Sequence, residues 1–375
     1  MTGLILDDED GGLALLRESV ASFAARHDGP STFRNRRSSG ADMDRATWTA
    51  MAEAGWLGLL LPEDLGGLGL GLPEQAVLSE ALGRALVSEP VAQLAVFAGT
   101  LLTEASESAE RTRLAEGLVS AAAIVAPAWQ GRNGAAAPVE ARAEGEGYVL
   151  SGTLEFVPAA GSATDFLVLA RAGQEDMLLS VPADAAGLSH SLHPTLDGAQ
   201  LGTLVLDATP VAAGQVLAGG NAVSAALEKA IAMTRLALAA EMAGIATRAI
   251  EQTVAYTRDR VQFGRAIAAF QVVQHRLVDM WSDAEFANSS VVNAVETCTE
   301  EGGRAGDLAI LAAKARAGDA AVTITRRAIH LHGAMGFTDD CDIGLYMKRA
   351  VALNATLGQP EELRLQFVAR ERAAA

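Results

Sequence analysis

The sequence has 375 residues, 50% of them hydrophobic, and a formal net charge of −17. A chain of this length exceeds what one hydrophobic core normally supports, so two or three packed domains are expected. The acidic balance argues against nucleic-acid binding, because phosphates must be neutralised by clustered Lys and Arg, and against binding to an anionic membrane surface.

Cysteine content and the N-terminal residues bear on the cellular compartment. Only Cys298 and Cys341 occur, without a CxxC motif, so neither a disulfide framework nor a zinc site is expected. Both cysteines are expected to be small buried side chains. The first ten residues turn acidic where a secretory signal would be basic and then apolar. The Ala-rich stretch 118–129 is too short to span a bilayer. A cytoplasmic protein without membrane insertion is therefore expected.

Residues 8–125 are predicted to be helical. Large apolar side chains recur there at helical spacings, and 74–87 is a further amphipathic run. These apolar positions are Phe23, Trp48, Met51, Trp56, Leu59 and Leu60. The glycine-rich stretch 66–69 is predicted to be a loop, since so many glycines weaken any helix.

Residues 126–220 have a different sequence pattern, which predicts a small β-sandwich or β-barrel. Short apolar runs at 148–152, 166–170, 177–181 and 204–206 are separated by Gly, Pro and Asp. His190 and His193 are expected to flank a turn between strands. No histidine pair has metal-ligand spacing supported by a third ligand, so no metal site is predicted.

Residues 221–375 return to long helices, interrupted by glycines between 333 and 336. The apolar faces around 231–250 and 308–328 predict a four-helix bundle and assembly into dimers or tetramers. The predicted fold class is therefore α+β and multi-domain. It comprises an N-terminal helical domain (1–125), a middle β domain (126–220) and a C-terminal helical bundle (221–375).

Four ordered motifs are spread over nearly the whole chain. They are a Trp and Gly segment at 48–56, a Pro-Glu-Asp and Gly-Gly segment at 61–67, a Tyr, Arg, Gln-Phe-Gly and Phe-Gln segment at 256–275, and a Gly, Gly-Phe-Thr segment at 332–338. Together they resemble the acyl-CoA dehydrogenase family. The resemblance implies an FAD cofactor, an acyl-CoA substrate and an electron-transfer flavoprotein-type acceptor.

The cofactor residues follow from the same resemblance. A guanidinium suits bidentate contact with a pyrophosphate, and Arg260 is the candidate. Phe263 would supply an aromatic surface, while Gly333 and Gly336 would let backbone N–H groups approach phosphate or ribose. The full set implied is Arg260, Phe263, Gln271, His330, Gly333, Gly336, Phe156 and Val157.

The chain departs from the family pattern where the catalytic base would lie. The usual position of the base carboxylate falls on Leu357, and the alternative helix position falls on Thr234; neither side chain can accept the α-proton. Glu241 lies seven residues beyond Thr234, on the same helix face, and is a weak candidate for a relocated base. Its alternative role is a structural carboxylate paired with a neighbouring arginine.

Flavin contacts are altered as well. Ala126-Pro127-Ala128 replaces a turn whose Thr would bind the flavin, and Phe156-Val157-Pro158 replaces a strand with a Trp and a Thr. In the family these groups act on the flavin of their own subunit, whereas the motifs around Arg260 and Gly333 reach the flavin of a neighbouring subunit. This chain keeps most of the second set and has lost most of the first.

Three hypotheses remain open from the sequence. The pattern resembles one subunit of the hetero-oligomeric acyl-CoA dehydrogenases that actinobacteria use on steroid side chains and other bulky thioesters, in which a homologous partner carries the base. The second hypothesis is a self-sufficient dehydrogenase that uses Glu241. The third is a binding or scaffold member of the family that no longer oxidises a substrate.

Overall fold

A computed structural model describes residues 3–372 of the chain. The first six helices are α1 (Gly12–Ala24), α2 (Gly29–Ser39), α3 (Arg45–Glu53), α4 (Leu72–Ala85), α5 (Gly99–Glu104) and α6 (Ala109–Val119), with a π-helical segment at Ala92–Ala98. Eight strands follow: β1 (Val125–Ala128), β2 (Val139–Glu144), β3 (Gly147–Pro158), β4 (Asp165–Ala172), β5 (Glu175–Pro182), β6 (Leu188–Pro194), β7 (Gln200–Val211) and β8 (Val216–Gly219). The last part comprises α7 (Asn221–Asp259), the short strands β9 (Val261–Gln262) and β10 (Arg265–Ala266), α8 (Gln271–Glu300), α9 (Gly303–His332), α10 (Ile343–Ala355) and α11 (Pro360–Arg372). This order confirms the predicted fold class of helices, then β structure, then helices.

The eight strands form one mixed sheet in the order β6-β7-β3-β2-β4-β5-β8, with β1 also paired to β4. The β1–β4 and β2–β4 pairs are parallel and the remaining pairs are antiparallel. The four predicted apolar runs fall in β3, β4, β5 and β7.

Two local predictions in this region were wrong. Ala126-Pro127-Ala128 lies in β1 and not in a turn, since each of its residues pairs with β4. His190 and His193 lie within β6, an edge strand paired along its length with β7. The side chains of β6 are exposed on both of its faces, so this strand is mostly polar and its sequence lacks the apolar alternation that predicts a strand.

The chain divides into two compact units. A helical unit comprises Met1–Arg34, Leu72–Ser88 and Arg235–Ala375, and a sheet unit comprises Asn35–Gly71 and Glu89–Thr234. The division therefore falls within α7, between Thr234 and Arg235. The domain boundaries expected at residues 125 and 220 remain a prediction.

Within the helical unit, α9 is buried along most of its length and packs against α8, α10 and α11. Asp283 of α8 pairs with Arg316 of α9 at 2.8 Å. Helices α4 and α7 approach so closely that a Cβ atom at Gly83 would lie 2.1 Å from the backbone oxygen of Glu241. Only glycine permits this separation between the two backbones.

Helix α7 is long and apolar enough to cross a membrane by length and composition alone. However, most of its apolar stretch is buried inside the protein, as is typical of a core helix. Its apolar character is therefore used in packing the chain against itself.

Neither cysteine is fully buried, which corrects the sequence expectation. Cys298 and Cys341 are free thiols of intermediate exposure. Partial burial, with the Asp307 carboxylate nearby, raises the pKa of Cys298 to about 11. Its thiol is therefore protonated and unreactive at neutral pH.

Candidate functional site

The Arg260 motif folds into a short hairpin at the end of α7. Strands β9 and β10 pair at Gln262 and Arg265, which leaves Phe263 and Gly264 as a two-residue turn with φ of 54° and 79°. Two consecutive positive φ values match the turn that best fits the twist of a hairpin. A positive φ is unfavourable for a phenylalanine. In addition, 93% of the surface of Phe263 is exposed. A strained, fully presented aromatic ring is typical of a contact with another molecule.

Cationic and polar groups lie beside this turn. Arg260 is exposed, and its side chain makes no hydrogen bond or ion pair with any other residue between 3 and 372. Gln271 is exposed at the start of the 30-residue helix α8, whose N-cap, Phe270, supplies no side-chain cap. A helix N-terminus and a free guanidinium both favour an anion. The segment 258–276 has four arginines and one acidic residue, so it is locally basic in an acidic protein.

The second glycine motif forms the end of α9. Gly333 is exposed with φ 61°, and a single 3-10 turn, Gly333–Phe337, follows. The backbone N–H of Gly333 donates to the His330 carbonyl, so this group is not free for a ligand. Gly336 is buried, and a Cβ atom there would lie 2.7 Å from the backbone oxygen of Ile329.

The two histidines before Gly333 differ in environment. His330 is exposed, and its Nδ1 lies 2.8 Å from a guanidinium nitrogen of Arg276. His332 is buried, its Nδ1 lies 2.8 Å from the Ala328 carbonyl, and its ring stacks on Tyr256 with 4.3 Å between centroids. Burial lowers the pKa of His332, which keeps the ring neutral at physiological pH.

These exposed groups fit one half of a dinucleotide site. A guanidinium suits phosphate, a presented aromatic ring suits a base or ribose face, and a glycine turn leaves room for close approach. All of them belong to the helical unit. Among the described residues, no group of three or more His, Cys, Asp or Glu could hold a metal ion.

The sheet unit offers much poorer flavin contacts. Phe156 is 44% exposed with φ 57°, at an irregularity of β3 between Leu154 and Val157. Val157 is fully buried, and Pro158 carries neither an N–H nor a side-chain donor. Ala126 and Ala128 in β1 are also buried. Phe156 could cover a ring, but no side chain at these positions can donate to a flavin.

The expected base position lies in the turn between α10 and α11. Leu357 has φ 57°, and its carbonyl accepts a hydrogen bond from Nε of Arg235 at 2.9 Å. Residues 354–359 carry no titratable side chain. The alternative position, Thr234, is fully buried in α7. Neither place therefore provides a proton acceptor.

Glu241 is held as one partner of a buried ion pair. Its Oε1 accepts a hydrogen bond from Nε of Arg349 at 2.8 Å. The two residues are 7% and 4% exposed. A carboxylate bonded to a buried guanidinium is engaged in a structural contact, which favours a structural role over that of a base.

Sequence reasoning missed Lys314. This lysine of α9 is fully buried, and its Nζ donates to the carbonyls of Leu353, Asn354 and Gly358 at 3.1, 3.3 and 3.4 Å. Burial, with Arg235 nearby, lowers the pKa of Lys314 to about 7. In the sequence it is one lysine in an Ala-rich amphipathic run, so no pattern distinguishes it from a solvated residue.

Comparison with known proteins identifies the family. Residues 13–121 match the acyl-CoA dehydrogenase N-terminal domain, and residues 224–371 match the acyl-CoA dehydrogenase C-terminal domain. The chain is 31% identical over 358 residues to the acyl-CoA dehydrogenase IpdE2 of Mycolicibacterium smegmatis, which covers 93% of this chain and 95% of that protein. The chain therefore belongs to the acyl-CoA dehydrogenase family of oxidoreductases.

Two solved structures are also similar. A variant of the Tcur3481-Tcur3483 steroid ACAD is 32% identical with a TM-score of 0.85, covering 97% of this chain and 99% of that one. The ChsE4-ChsE5 complex from Mycobacterium tuberculosis is 27% identical with a TM-score of 0.88, covering 99% of this chain and all of that one. Each structure is named for a pair of different chains.

Proposed function

We propose that this chain is the base-lacking subunit of a hetero-oligomeric, FAD-dependent acyl-CoA dehydrogenase, whose homologous partner carries the catalytic carboxylate. The observation that carries the proposal is that position 357 holds a leucine and not a carboxylate. Leu357 occupies the turn where the family places the base, and no residue of 354–359 can titrate. The reaction class is α,β-dehydrogenation of an acyl-CoA thioester.

The uneven distribution of cofactor contacts supports the same proposal. Members of the family bind FAD. Arg260, Phe263, Gln271, His330 and Gly333 are proposed to reach the FAD of the partner subunit, and the buried Gly336 is proposed to let the turn that carries Gly333 pack closely on α9. Phe156 and Val157 are proposed to flank the chain's own flavin position, where donors are missing. The intact half of the site would then complete a cofactor site in the neighbouring subunit.

Each retained group has a defined task in that site. FAD, when bound, supplies the acceptor for the hydride that leaves the acyl chain. Arg260 would hold the pyrophosphate by charge-assisted hydrogen bonds. Phe263 would cover an apolar face of the cofactor and exclude water. Gln271 and His330 would supply side-chain hydrogen-bond donors at the edge of the site.

Exposed apolar side chains on α8 support assembly with a partner. Val272, Val278, Trp281 and Phe286 are all exposed on this helix in the single chain. Several large apolar side chains exposed on one helix favour burial against another protein chain. The proposed partner is a homologous subunit in a dimer or heterotetramer. An electron-transfer flavoprotein-type acceptor and a cytoplasmic location complete the proposal.

The two alternatives are weaker on specific grounds. A self-sufficient enzyme would need Glu241 as its base, yet that carboxylate is bonded to Arg349. A scaffold subunit without any part in oxidation would have no need for the strained, exposed Phe263 or the exposed guanidinium of Arg260. Both alternatives remain measurable outcomes of the experiment below.

The deciding experiment measures flavin-band absorbance and FAD stoichiometry. The chain is purified alone and again after co-expression with a homologous subunit. We expect a colourless, inactive chain alone and a yellow, active complex with one FAD per pair of subunits. Full flavin content and substrate bleaching in the chain alone would show a self-sufficient enzyme. A colourless, inactive complex would indicate the scaffold role.

A matched pair of variants tests the assigned residues. Arg260→Gln should raise the FAD dissociation constant of the complex about 10- to 100-fold, because a hydrogen bond to a charged group is lost. Arg258→Gln, two residues away and also exposed, is the control and should leave it within about 2-fold. Equal effects of the two substitutions would contradict the assignment of Arg260.

A further inference from the structure

Tyr256 connects the two retained cofactor motifs of the helical unit. Its backbone carbonyl accepts a hydrogen bond from the N–H of Arg260 at 2.9 Å. Its phenolic O–H donates to the carbonyl of His332 at 3.1 Å. One residue thus contacts both Arg260 and the peptide unit that joins His332 to Gly333.

His332 strengthens this connection from the other side. Its ring lies on the Tyr256 ring with 4.3 Å between centroids and an interplanar angle of 19°. Because the Ala328 carbonyl is an acceptor, Nδ1 at 2.8 Å from it must carry a hydrogen, and this fixes both the tautomer and the ring. His332 is only 6% exposed, so its ring is enclosed by the protein.

The geometry of Gly333 depends on the bond that Tyr256 makes. The His332 carbonyl is at the end of α9, where the last carbonyls of a helix lack intrahelical partners. The Tyr256 hydroxyl satisfies this carbonyl and sets the orientation of the peptide plane leading into Gly333, whose φ is 61°. Without that bond, the His332 carbonyl would lose the hydrogen bond that ties the end of α9 to α7.

We infer that Tyr256 and His332 are positioning residues that lock the Gly333 turn to the end of α7. Arg260 and Gly333 then present one preset surface to the dinucleotide. The inference rests on the proposed function for the identity of the ligand, which is the FAD of the partner subunit. Neither Tyr256 nor His332 needs to touch the cofactor for this role. A preorganised surface binds more tightly because less conformational freedom is lost on binding.

The test compares two tyrosines that make the same kind of bond. Tyr346 also belongs to the helical unit, and its O–H donates to the Arg84 carbonyl at 2.7 Å. Tyr256→Phe and Tyr346→Phe each remove one hydroxyl, so Tyr346→Phe controls for lost stability. We expect Tyr256→Phe to raise the FAD dissociation constant of the assembled complex about 5-fold, as for one hydrogen bond. Tyr346→Phe should leave that constant unchanged.

Two further measurements separate positioning from general stability. Hydrogen exchange of the segment 333–338 in the chain alone should be faster in Tyr256→Phe than in Tyr346→Phe. The kcat of the complex at saturating FAD should stay within about 2-fold of the unmodified complex, because the reacting groups are unchanged. His332→Ala should weaken FAD binding, and His332→Phe, which keeps a stacking ring, should restore most of it.

The outcomes are distinguishable from those of the proposed function. If Arg260→Gln weakens FAD binding while Tyr256→Phe matches Tyr346→Phe, the cofactor site stands and the positioning role is overturned. If exchange of 333–338 is equal in both tyrosine variants, the locking contact is overturned. If neither Arg260→Gln nor Tyr256→Phe affects FAD, the proposed cofactor site itself is wrong.

Discussion

Substitution of Glu241 by glutamine tests whether this carboxylate is structural or catalytic. Glu241 and Arg349 bond at 2.8 Å and are 7% and 4% exposed. Removing one charge from a buried pair costs about 3–5 kcal/mol, since the remaining charge stays desolvated. Glutamine keeps an oxygen that can accept from Arg349, so we expect a cost near the lower end, about 3 kcal/mol.

The assay is urea unfolding of the chain followed by circular dichroism. A lower midpoint with an unchanged slope is expected, because the surface exposed on unfolding is the same. Glu144→Gln is the matched control, since Glu144 pairs with Arg142 at a site where the side chains are 58% and 64% exposed. Its effect should stay within about 0.5 kcal/mol.

A double-mutant cycle completes the test. Arg349→Met in the Glu241→Gln background removes both charges and leaves an apolar side chain of similar length. The double variant should be less destabilised than the sum of the single variants, by about 0.5–3 kcal/mol. The structural role would be refuted if Glu241→Gln unfolds like Glu144→Gln and abolishes acyl-CoA oxidation by the chain alone.

Three further predictions concern burial, close packing and exposure. The pKa of Lys314 is lowered to about 7, so from about pH 7 to 10 the unfolded chain binds one more proton at this group than the folded chain. The free energy of unfolding should therefore rise with pH over this range. A Lys314→Met variant should lose this rise, measured by urea unfolding at several pH values. Gly83→Ala should lower the unfolding free energy by about 1–3 kcal/mol or more, because the new Cβ atom would lie 2.1 Å from the Glu241 carbonyl oxygen. Gly214→Ala is the control, since a Cβ atom at Gly214 would have no neighbour within 4 Å and should change the unfolding free energy little. Equal thermal midpoints for the two variants would contradict the close packing of α4 on α7. Phe263→Ala should leave the thermal midpoint of the chain unchanged or slightly raised, since 93% of this residue is exposed. The same substitution should weaken FAD retention by the assembled complex. A midpoint several degrees lower would contradict the proposal that Phe263 contacts a molecule other than its own chain.

The sequence alone was sufficient for the order of the elements. Helical periodicity located the long helices, and the buried strands β4 and β5 showed as apolar runs. The strands β2 and β6 were missed because their exposed sides are polar, so their pattern resembles that of loops. Strand β1 was missed because it has four residues including a proline, too few for any periodicity to show.

The candidate site was determined in part by the same local information. Arg260, Phe263 and Gly333 were predicted from motifs, because each residue type has a chemical preference that short sequence spacing can display. The leucine at position 357, where the family resemblance implies a carboxylate, was equally visible, since its side chain cannot titrate in any environment. Residue types and their local order therefore indicate which chemistry to propose for this chain.

Tertiary structure alone decided which distant residues meet. Glu241 could have paired with any of 29 Lys and Arg residues, and the fold brings Arg349 of α10 within 2.8 Å of it. Lys314 bonds to carbonyls about 40 residues away, and Tyr256 bonds to His332 across 76 residues. Such contacts depend on distances between helices, which the packing of side chains sets and which no local pattern encodes. For that reason the sequence names the residues of the site, whereas the fold determines which of them are held in place and by what.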